Sequence, residues 1–538
     1  MQGSTSLQLP ASDPPSPSSD GGAKSSRVCL NCRRKKKKCD KKLPSCGRCT
    51  YSLEFCQHED DQAASRSADP SARTSFESLG NINAPGSFAV SAFLGGQIGP
   101  ANPTISPALF APLGTTEDIH HFVSRSLAQI VGDRSTTESI IRYYFGTINA
   151  WFTIIESASF EERLEQMWAE PSAETGLLAL CMLLIVRSPE ETPAVSMQNS
   201  LYHAVKTLCG VVVAKLPLST SLLQAHLLIC LYELGHLMPQ QAYLTLGTCI
   251  TIVRAFGWLD ESFWGQDQWI VRARELKLCS ILWWTVVFLE SGLQSEELGY
   301  PQVIPSLSFA IPFPETFDPI LQLSQAGPEQ YGGSIQESTY RFANDGDEKI
   351  ETIVFPEAKS ASLLSQVLVR TKPSSVPTLP RETLHAAIVD HARNIVSTPW
   401  KDGSRFAALS LAYTAMLKLN YPHLGLGRTS QPVFDPSDRS AVQSTIQVID
   451  SICHNAQLIT SSSGSLSFTG PLVPTLAHSM FLAAKVLVTT GGALAQGVDF
   501  SNKIQLLRGC LEVFAKRWKI AAMIVVGAER QTKRAVAG

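Results

Sequence analysis

The stretch V-C-L-N-C-R-R-K-K-K-K-C-D-K-K-L-P-S-C-G-R-C-T-Y-S-L-E-F-C, Val28 to Cys56, organises this chain. Its cysteines form a duplicated C-x2-C-x6-C pattern. Cys29, Cys32 and Cys39 recur as Cys46, Cys49 and Cys56, each shifted by seventeen residues. Two such halves can be related by a local pseudo-twofold, each presenting three sulfurs to a shared centre. Thiolates select soft or borderline metals, and zinc held by sulfur is nearly always four-coordinate and tetrahedral. Two zinc ions need eight ligand positions, so with six cysteines two sulfurs must bridge, and symmetry makes the bridges equivalent residues of the two halves. One zinc would leave two thiolates spare. Disulfides would need an oxidising compartment, to which the sequence gives no route. Single-zinc ribbons and RING-type sites normally use other spacings and often histidine.

The basic residues are divided unequally. Arg33, Arg34, Lys35, Lys36, Lys37 and Lys38 fill the gap between the second and third cysteines, whereas Thr50 to Phe55 fill the equivalent gap with no positive charge. One half is therefore expected to face a polyanion and the other to support it. From Lys24 to His58 there are eleven Lys or Arg against two acids, a formal +9 in a chain whose net charge is −2. Six thiolates and two zinc ions bring this to about +7 once the metal's own charge is counted. Charge so concentrated is the footprint of a nucleic-acid-binding module.

All six cysteines, the basic run, and Pro44 two residues before the fourth cysteine resemble the zinc binuclear-cluster DNA-binding domain of fungal transcription regulators. The resemblance implies two Zn2+ ions with Cys29 and Cys46 bridging. It also implies two short helices, of which the one after the second cysteine enters the DNA major groove. Two adjacent basic residues near its end, Lys35 and Lys36 here, would read a CGG-like triplet, with Arg33, Arg34 and Lys38 on phosphates. Lys donating to guanine O6 and N7 suits that role.

Outward from the cluster, residues 1–23 are Ser, Pro, Gly and Asp with few large apolar side chains and read as disordered, without a secretory-signal pattern. The cluster domain is expected over 24–58. A Ser-, Ala-, Gly- and Pro-rich linker follows over 59–115, where Pro70, Pro85, Pro100, Pro103 and Pro107 preclude long helices. No run of apolar a and d positions survives three heptads there, so no dimerising coiled coil is expected.

From about Asp118 the pattern turns helical. Ile140, Tyr144, Ile148 and Trp151 make one buried stripe. Leu177–Val186, Ser219–Leu237, Ala242–Phe256 and Glu275–Leu293 also read as helices. Residues 306–360 read as a long irregular excursion, with helices resuming at Leu384. Asp435-Pro436 reads as a helix start, and the last helix spans Ile504 to about Ile524. An all-α regulatory domain is thus expected over 116–538. Within it, about 136–325 resembles the middle homology region of the same fungal family. The segments that carry this are Y-Y-F-G-T-I-N-A-W-F-T-I-I-E-S-A-S-F from Tyr143, L-Y-E-L-G-H from Leu231, L-W-W-T-V-V-F-L-E from Leu282 and E-L-G-Y-P-Q-V-I-P from Glu297. An Asp-Arg usual after the double tryptophan is replaced by Glu290 and Ser291.

The longest apolar runs, Leu177–Val186 and Leu278–Leu289, fall short of the roughly 20 residues of a spanning helix and read as core, so no membrane is expected. The seven cysteines outside the cluster read as reduced core residues. No G-x-S-x-G, P-loop, G-x-G-x-x-G after a strand, or H-E-x-x-H occurs, and His120, His121, His226 and His236 read as surface or core histidines. Catalysis is not expected. Trp283, Trp284 and Phe288 read as core, with an effector pocket as the alternative.

The resemblance implies a nuclear, sequence-specific transcription factor of RNA polymerase II genes, with a metabolic or secondary-metabolite target set. Its partners would be double-stranded DNA and the transcription machinery or co-regulators, with a homodimer and a small-molecule effector as further expectations. The alternative is a zinc-cluster co-regulator acting through protein contacts without binding DNA.

Overall fold

The computed structural model describes residues 28–29, 32–33, 36–41, 116–187, 197–295, 299–305, 307, 309–325, 356–371, 379–398, 404–424, 439–462, 472–490 and 498–521. The chain divides into two compact units, Met1–Ala84 and Pro85–Gly538, each described by itself. In the second, helices follow one another: α1 Thr116–Val131, α2 Arg134–Thr147, α3 Ser157–Ala169, α4 Ala173–Val186, α5 Ser200–Lys215, α6 Thr220–Gly235, α7 Pro239–Ala255 and α8 Trp269–Ser295. After these come α9 Asp318–Gln325, α10 Pro356–Thr371, α11 Arg381–Ser397, α12 Ser404–Asn420, α13 Arg439–Ser462, α14 Pro474–Thr489 and α15 Val498–Ala515. Among the described residues there is no β-strand.

Polar caps start several helices. Asp133, Asn199 and Ser219 accept the backbone N–H of Thr136, Tyr202 and Leu222 at 2.7, 2.9 and 3.2 Å, taking up amides that a helix cannot satisfy itself. A helix apolar on every face must be enclosed. The sequence A-E-T-G-L-L-A-L-C-M-L-L-I-V makes α4 such a helix, and α6 is its partner; nearly every residue of both is buried. Helices α7 and α8 also pack on α6, α10 packs on α8 and α12, and α12 carries the contact onward to α13 and α14. The core is thus continuous from Ile119 to Ala521.

The stripe Ile140, Tyr144, Ile148 and Trp151 is buried as expected, and Trp283, Trp284 and Phe288 lie in the same core. Trp284 stacks on Phe313, ring centroids 4.7 Å apart, and donates its indole N–H to Pro312 O. The seven cysteines beyond the cluster are all buried and none forms a disulfide. The segment Gln266–Ser295 is long and apolar enough to cross a membrane, mean hydropathy 1.4, but its apolar window is 78% buried among the other helices.

Two expectations need correction. The stretch 306–360 is not one irregular excursion: Pro314 opens a 3-10 turn to Phe317, Asp318-Pro319 opens α9, and Pro356 opens α10. Proline is pre-set for a first helical turn, where its missing N–H has no partner to lose. Helices therefore resume at Pro356, well before Leu384. The last helix expected from Ile504 begins earlier, at Val498, and is interrupted after Ala515 by a turn in which Lys516 and Arg517 donate to Val513 O and Phe514 O, with helix resuming over 519–521 beyond Trp518. The start signal at Asp435-Pro436 lies outside the described residues, and α13 is described from Arg439.

Candidate metal centre and nucleic-acid interface

In the first unit Cys29 is 0% and Cys32 2% exposed, each packed against the other with Val28 and Cys39 around them. A short helical turn starts at Cys32. Arg33 N–H donates to Cys29 O at 3.0 Å, Lys36 N–H to Arg33 O at 3.1 Å and Lys37 N–H to Cys32 O at 2.9 Å. The last two bonds form the paired closure of a Schellman cap, which needs a left-handed residue at its turning point. Lys36 is that residue, with φ +50.

The turn reverses the chain, and Cys39 returns to Cys29 and Cys32. The three Sγ atoms lie within 4.8 Å of one another. Three sulfurs at 2.3 Å around one tetrahedral zinc would be about 3.8 Å apart, so this triad needs only a small contraction to bind one. The Cys32 N–H points at Cys29 Sγ at 3.4 Å, a second interaction that orients this sulfur. Chemically the residues present fit zinc. Arg33, Lys36, Lys37 and Lys38 are exposed around the same turn. Cys46, Cys49, Cys56, Arg34 and Lys35 lie outside the described residues.

In the helical unit, the Glu290 that departs from the family pattern has a definite job. It is 4% exposed, and its Oε1 accepts the backbone N–H groups of Val303 and Ile304 at 2.5 and 2.9 Å. One turn on, Gln294 Nε2 donates to Tyr300 O at 3.1 Å and Pro301 O at 3.2 Å. Together they fasten the G-Y-P-Q-V-I-P segment from Gly299 along α8. Tyr300 in turn stacks on Tyr243, centroids 4.9 Å apart, and Gly299 turns the chain at φ +74, where a side chain would be strained.

The histidines are core or surface groups. His226 Nδ1 sits 2.8 Å from Leu222 O, and His120 Nδ1 accepts Ala173 N–H at 3.1 Å. Burial holds His226 below the ordinary histidine range and pushes the thiol of its neighbour Cys209 up to about 12.

With this geometry in place, the comparisons are specific. Residues 27–65 match the fungal Zn(2)-Cys(6) binuclear cluster domain, and residues 141–328 match the fungal specific transcription factor domain. Over 126 residues the chain is 29% identical to Transcription factor BOA15 of Botryotinia fuckeliana (strain B05.10), covering 23% of this chain and 68% of that protein. The class these matches define is a DNA-binding transcription regulator that carries two zinc ions, not an enzyme. The chain thus carries, in order, the two domains of the fungal Zn(2)-Cys(6) transcription factors.

Proposed function

We propose that this transcription factor reads CGG-like sites in the promoters of RNA polymerase II genes and acts in the nucleus on a metabolic or secondary-metabolite gene set. Cys29, Cys32, Cys39, Cys46, Cys49 and Cys56 hold the two zinc ions, with Cys29 and Cys46 bridging. Lys35 and Lys36 contact bases, and Arg33, Arg34 and Lys38 neutralise phosphates. Residues 24–58 form the binding domain, 59–115 a linker, and 116–538 a regulatory domain that works with co-regulators and responds to a small-molecule effector.

The observation that carries the reading is the joint placement of the sulfur triad and Lys36. The turn that brings Cys39 to within 4.8 Å of Cys29 and Cys32 is the turn that ends on exposed Lys36. Metal binding and presentation of the basic group are therefore one folding event, since a segment too small for its own core folds on its metal. The test is unbiased selection from random duplex DNA by the zinc-loaded full chain, with a chelated control. Enrichment of a CGG-containing site, lost on chelation, is expected. No enrichment by a protein holding two zinc ions overturns the reading in favour of a co-regulator.

A further inference from the structure

His236 caps the C-terminal end of α6, is 3% exposed, and has no hydrogen-bond partner at either ring nitrogen. The ring lies edge-on to Tyr232, centroids 4.5 Å apart, and 5.3 Å from Trp518. A buried polar group left without a partner is costly, and a phenyl ring would fill such a place without that cost. What histidine adds is a proton that it can gain or lose near neutral pH.

The groups around it oppose that proton. Arg517 and Lys519, from the segment that docks here, both act against a charge on His236. Lys519 is engaged elsewhere in the protein as well, which leaves Arg517 as the deciding cation. The Arg517 guanidinium lies 4.5 Å from the centroid of the Trp518 ring and donates to Ile185 O and Arg187 O at the end of α4. The ionisable groups that favour its charge are the phenols of Tyr143, from α2, and Tyr232, with no carboxylate among them. Arg187 acts on Tyr232 in the same sense as Arg517, and Tyr202, from α5, stacks on Tyr232 with centroids 5.8 Å apart. Glu233, three residues before His236, is already taken up. It accepts from Tyr202 Oη and Thr245 Oγ1 at 2.7 and 2.6 Å and pairs with Lys206 Nζ at 3.0 Å. Burial first, and the two cations second, hold His236 well below the ordinary histidine range.

We infer that His236 makes the docking of segment 516–521 pH-sensitive: a proton on its ring, set beside Arg517 in a closed aromatic pocket, drives Trp518 out and releases the segment from the ends of α4 and α6. Docked, the segment seals the ring from water. Undocked, the ring is hydrated and takes up a proton with ordinary affinity, near pH 6.5. The docked state is therefore fully favoured above that pH. Below it the ratio of docked to undocked falls by up to tenfold per pH unit, until the ring is protonated in both states. Release is local, because α4 stays enclosed by α1, α2 and α5, and α6 by α4, α7 and α8.

The test is hydrogen exchange of the zinc-loaded full chain between pH 7.5 and 5.5, each rate divided by the intrinsic rate at that pH. The reporters are the amides of Arg517 and Trp518, which donate to Phe514 O, and of Ala521, which donates to Trp518 O. Their protection should fall about tenfold across this range, while that of α4 and α6 holds. His236→Phe keeps a ring without the proton, and Trp518→Leu leaves the ring hydrated at every pH. Both should abolish the dependence. Level protection of 516–521 in the wild type overturns the inference. So does a tenfold fall that persists in either folded variant, or one that extends equally to α4 and α6. If His236→Phe does not fold, the wild-type profile and Trp518→Leu still decide. No DNA enters the measurement, so its outcome and that of the DNA selection are independent.

Discussion

Trp518 lies against Gly235, so close that a β-carbon on Gly235 would overlap ring atoms Cε3 and Cζ3 and stand 3.1 Å from Cδ2. Gly235 ends α6, in the segment L-Y-E-L-G-H, and Trp518 follows α15 near the far end of the described chain. The indole is not free to retreat. Its N–H donates to Leu472 O at 2.5 Å, the Arg517 guanidinium lies 4.5 Å from its centroid, and His236 packs at 5.3 Å. Arg517 meanwhile donates to Ile185 O and Arg187 O, carbonyls at the end of α4 that the helix leaves unpaired. The last described residues thus clasp the ends of the two most deeply buried helices.

Gly235→Ala should therefore destabilise the helical unit. Alanine gains up to about 1 kcal/mol of helix propensity, but forcing a methyl into a filled site costs about 1–3 kcal/mol or more. The second effect wins because the indole is held from three sides. Thermal unfolding of Gly235→Ala should show a lowered Tm, and most of that loss should vanish in a Trp518→Leu background. Additive losses in the double variant would mean that the contact is not the cause.

Burial of Glu357 predicts a pH dependence. Its carboxyl lies near Glu315, Oε1 has no hydrogen-bond partner, and burial raises its pKa to about 8. The unfolded chain holds an ordinary carboxyl near 4.5. Between those values the folded state keeps a proton that the unfolded state has lost. The stabilisation is full below about pH 4.5 and declines as pH rises toward 8, by at most about 1.4 kcal/mol per pH unit for one proton. Glu357→Gln keeps the shape without the titration. Denaturant unfolding from pH 5 to 8 should show the variant gaining on the wild type as pH rises. A constant difference across that range would rule out this carboxyl as the source.

What the sequence disclosed follows the range of the interactions concerned. The metal centre was legible because its ligands are local: the C-x2-C-x6-C spacing fixes one turn, and that turn brings Cys39 to Cys29 and Cys32. The stripe through Ile140 and Tyr144 was legible because a helix buries one face. The start of helix α10 escaped because its first buried positions, Ala358, Ser360 and Ala361, each 0% exposed, are small and raise little hydrophobic signal, although Leu364 and Val367 further along carry an apolar stripe. The contact of Trp518 with Gly235 escaped for another reason. It joins residues that no local pattern relates. Glu290 stood out only as a departure from a motif, and its two backbone partners appear only once the chain is folded.

Glu290 offers a third prediction. Replacing it by alanine leaves the N–H groups of Val303 and Ile304 without their acceptor, and an unsatisfied buried donor costs about 1–3 kcal/mol. Glu290→Ala should loosen the 299–305 segment specifically. Hydrogen exchange at Val303 and Ile304 should accelerate while α4 and α6 stay protected. Equal acceleration throughout the unit would mean global destabilisation instead.

The last prediction separates the roles of two lysines on one turn. Lys36 closes the turn in a left-handed conformation, and Lys38 lies two residues on, both exposed. A base contact carries sequence information and a phosphate contact does not. Lys36→Ala should thus lose discrimination at one base pair by about 1–3 kcal/mol. Lys38→Ala should weaken all duplexes alike and lower the log–log salt slope by about 1. The left-handed backbone supplies a control: glycine accepts φ +50 without strain, so Lys36→Gly removes the side chain while favouring the cap. If Lys36→Gly reproduces the alanine effect, the side chain is responsible; if it restores discrimination, the turn's geometry is. Binding to matched and single-mismatch sites across a salt series measures both quantities. Equal weakening of matched and scrambled DNA by Lys36→Ala would remove Lys36 from base readout and leave it among the phosphate contacts.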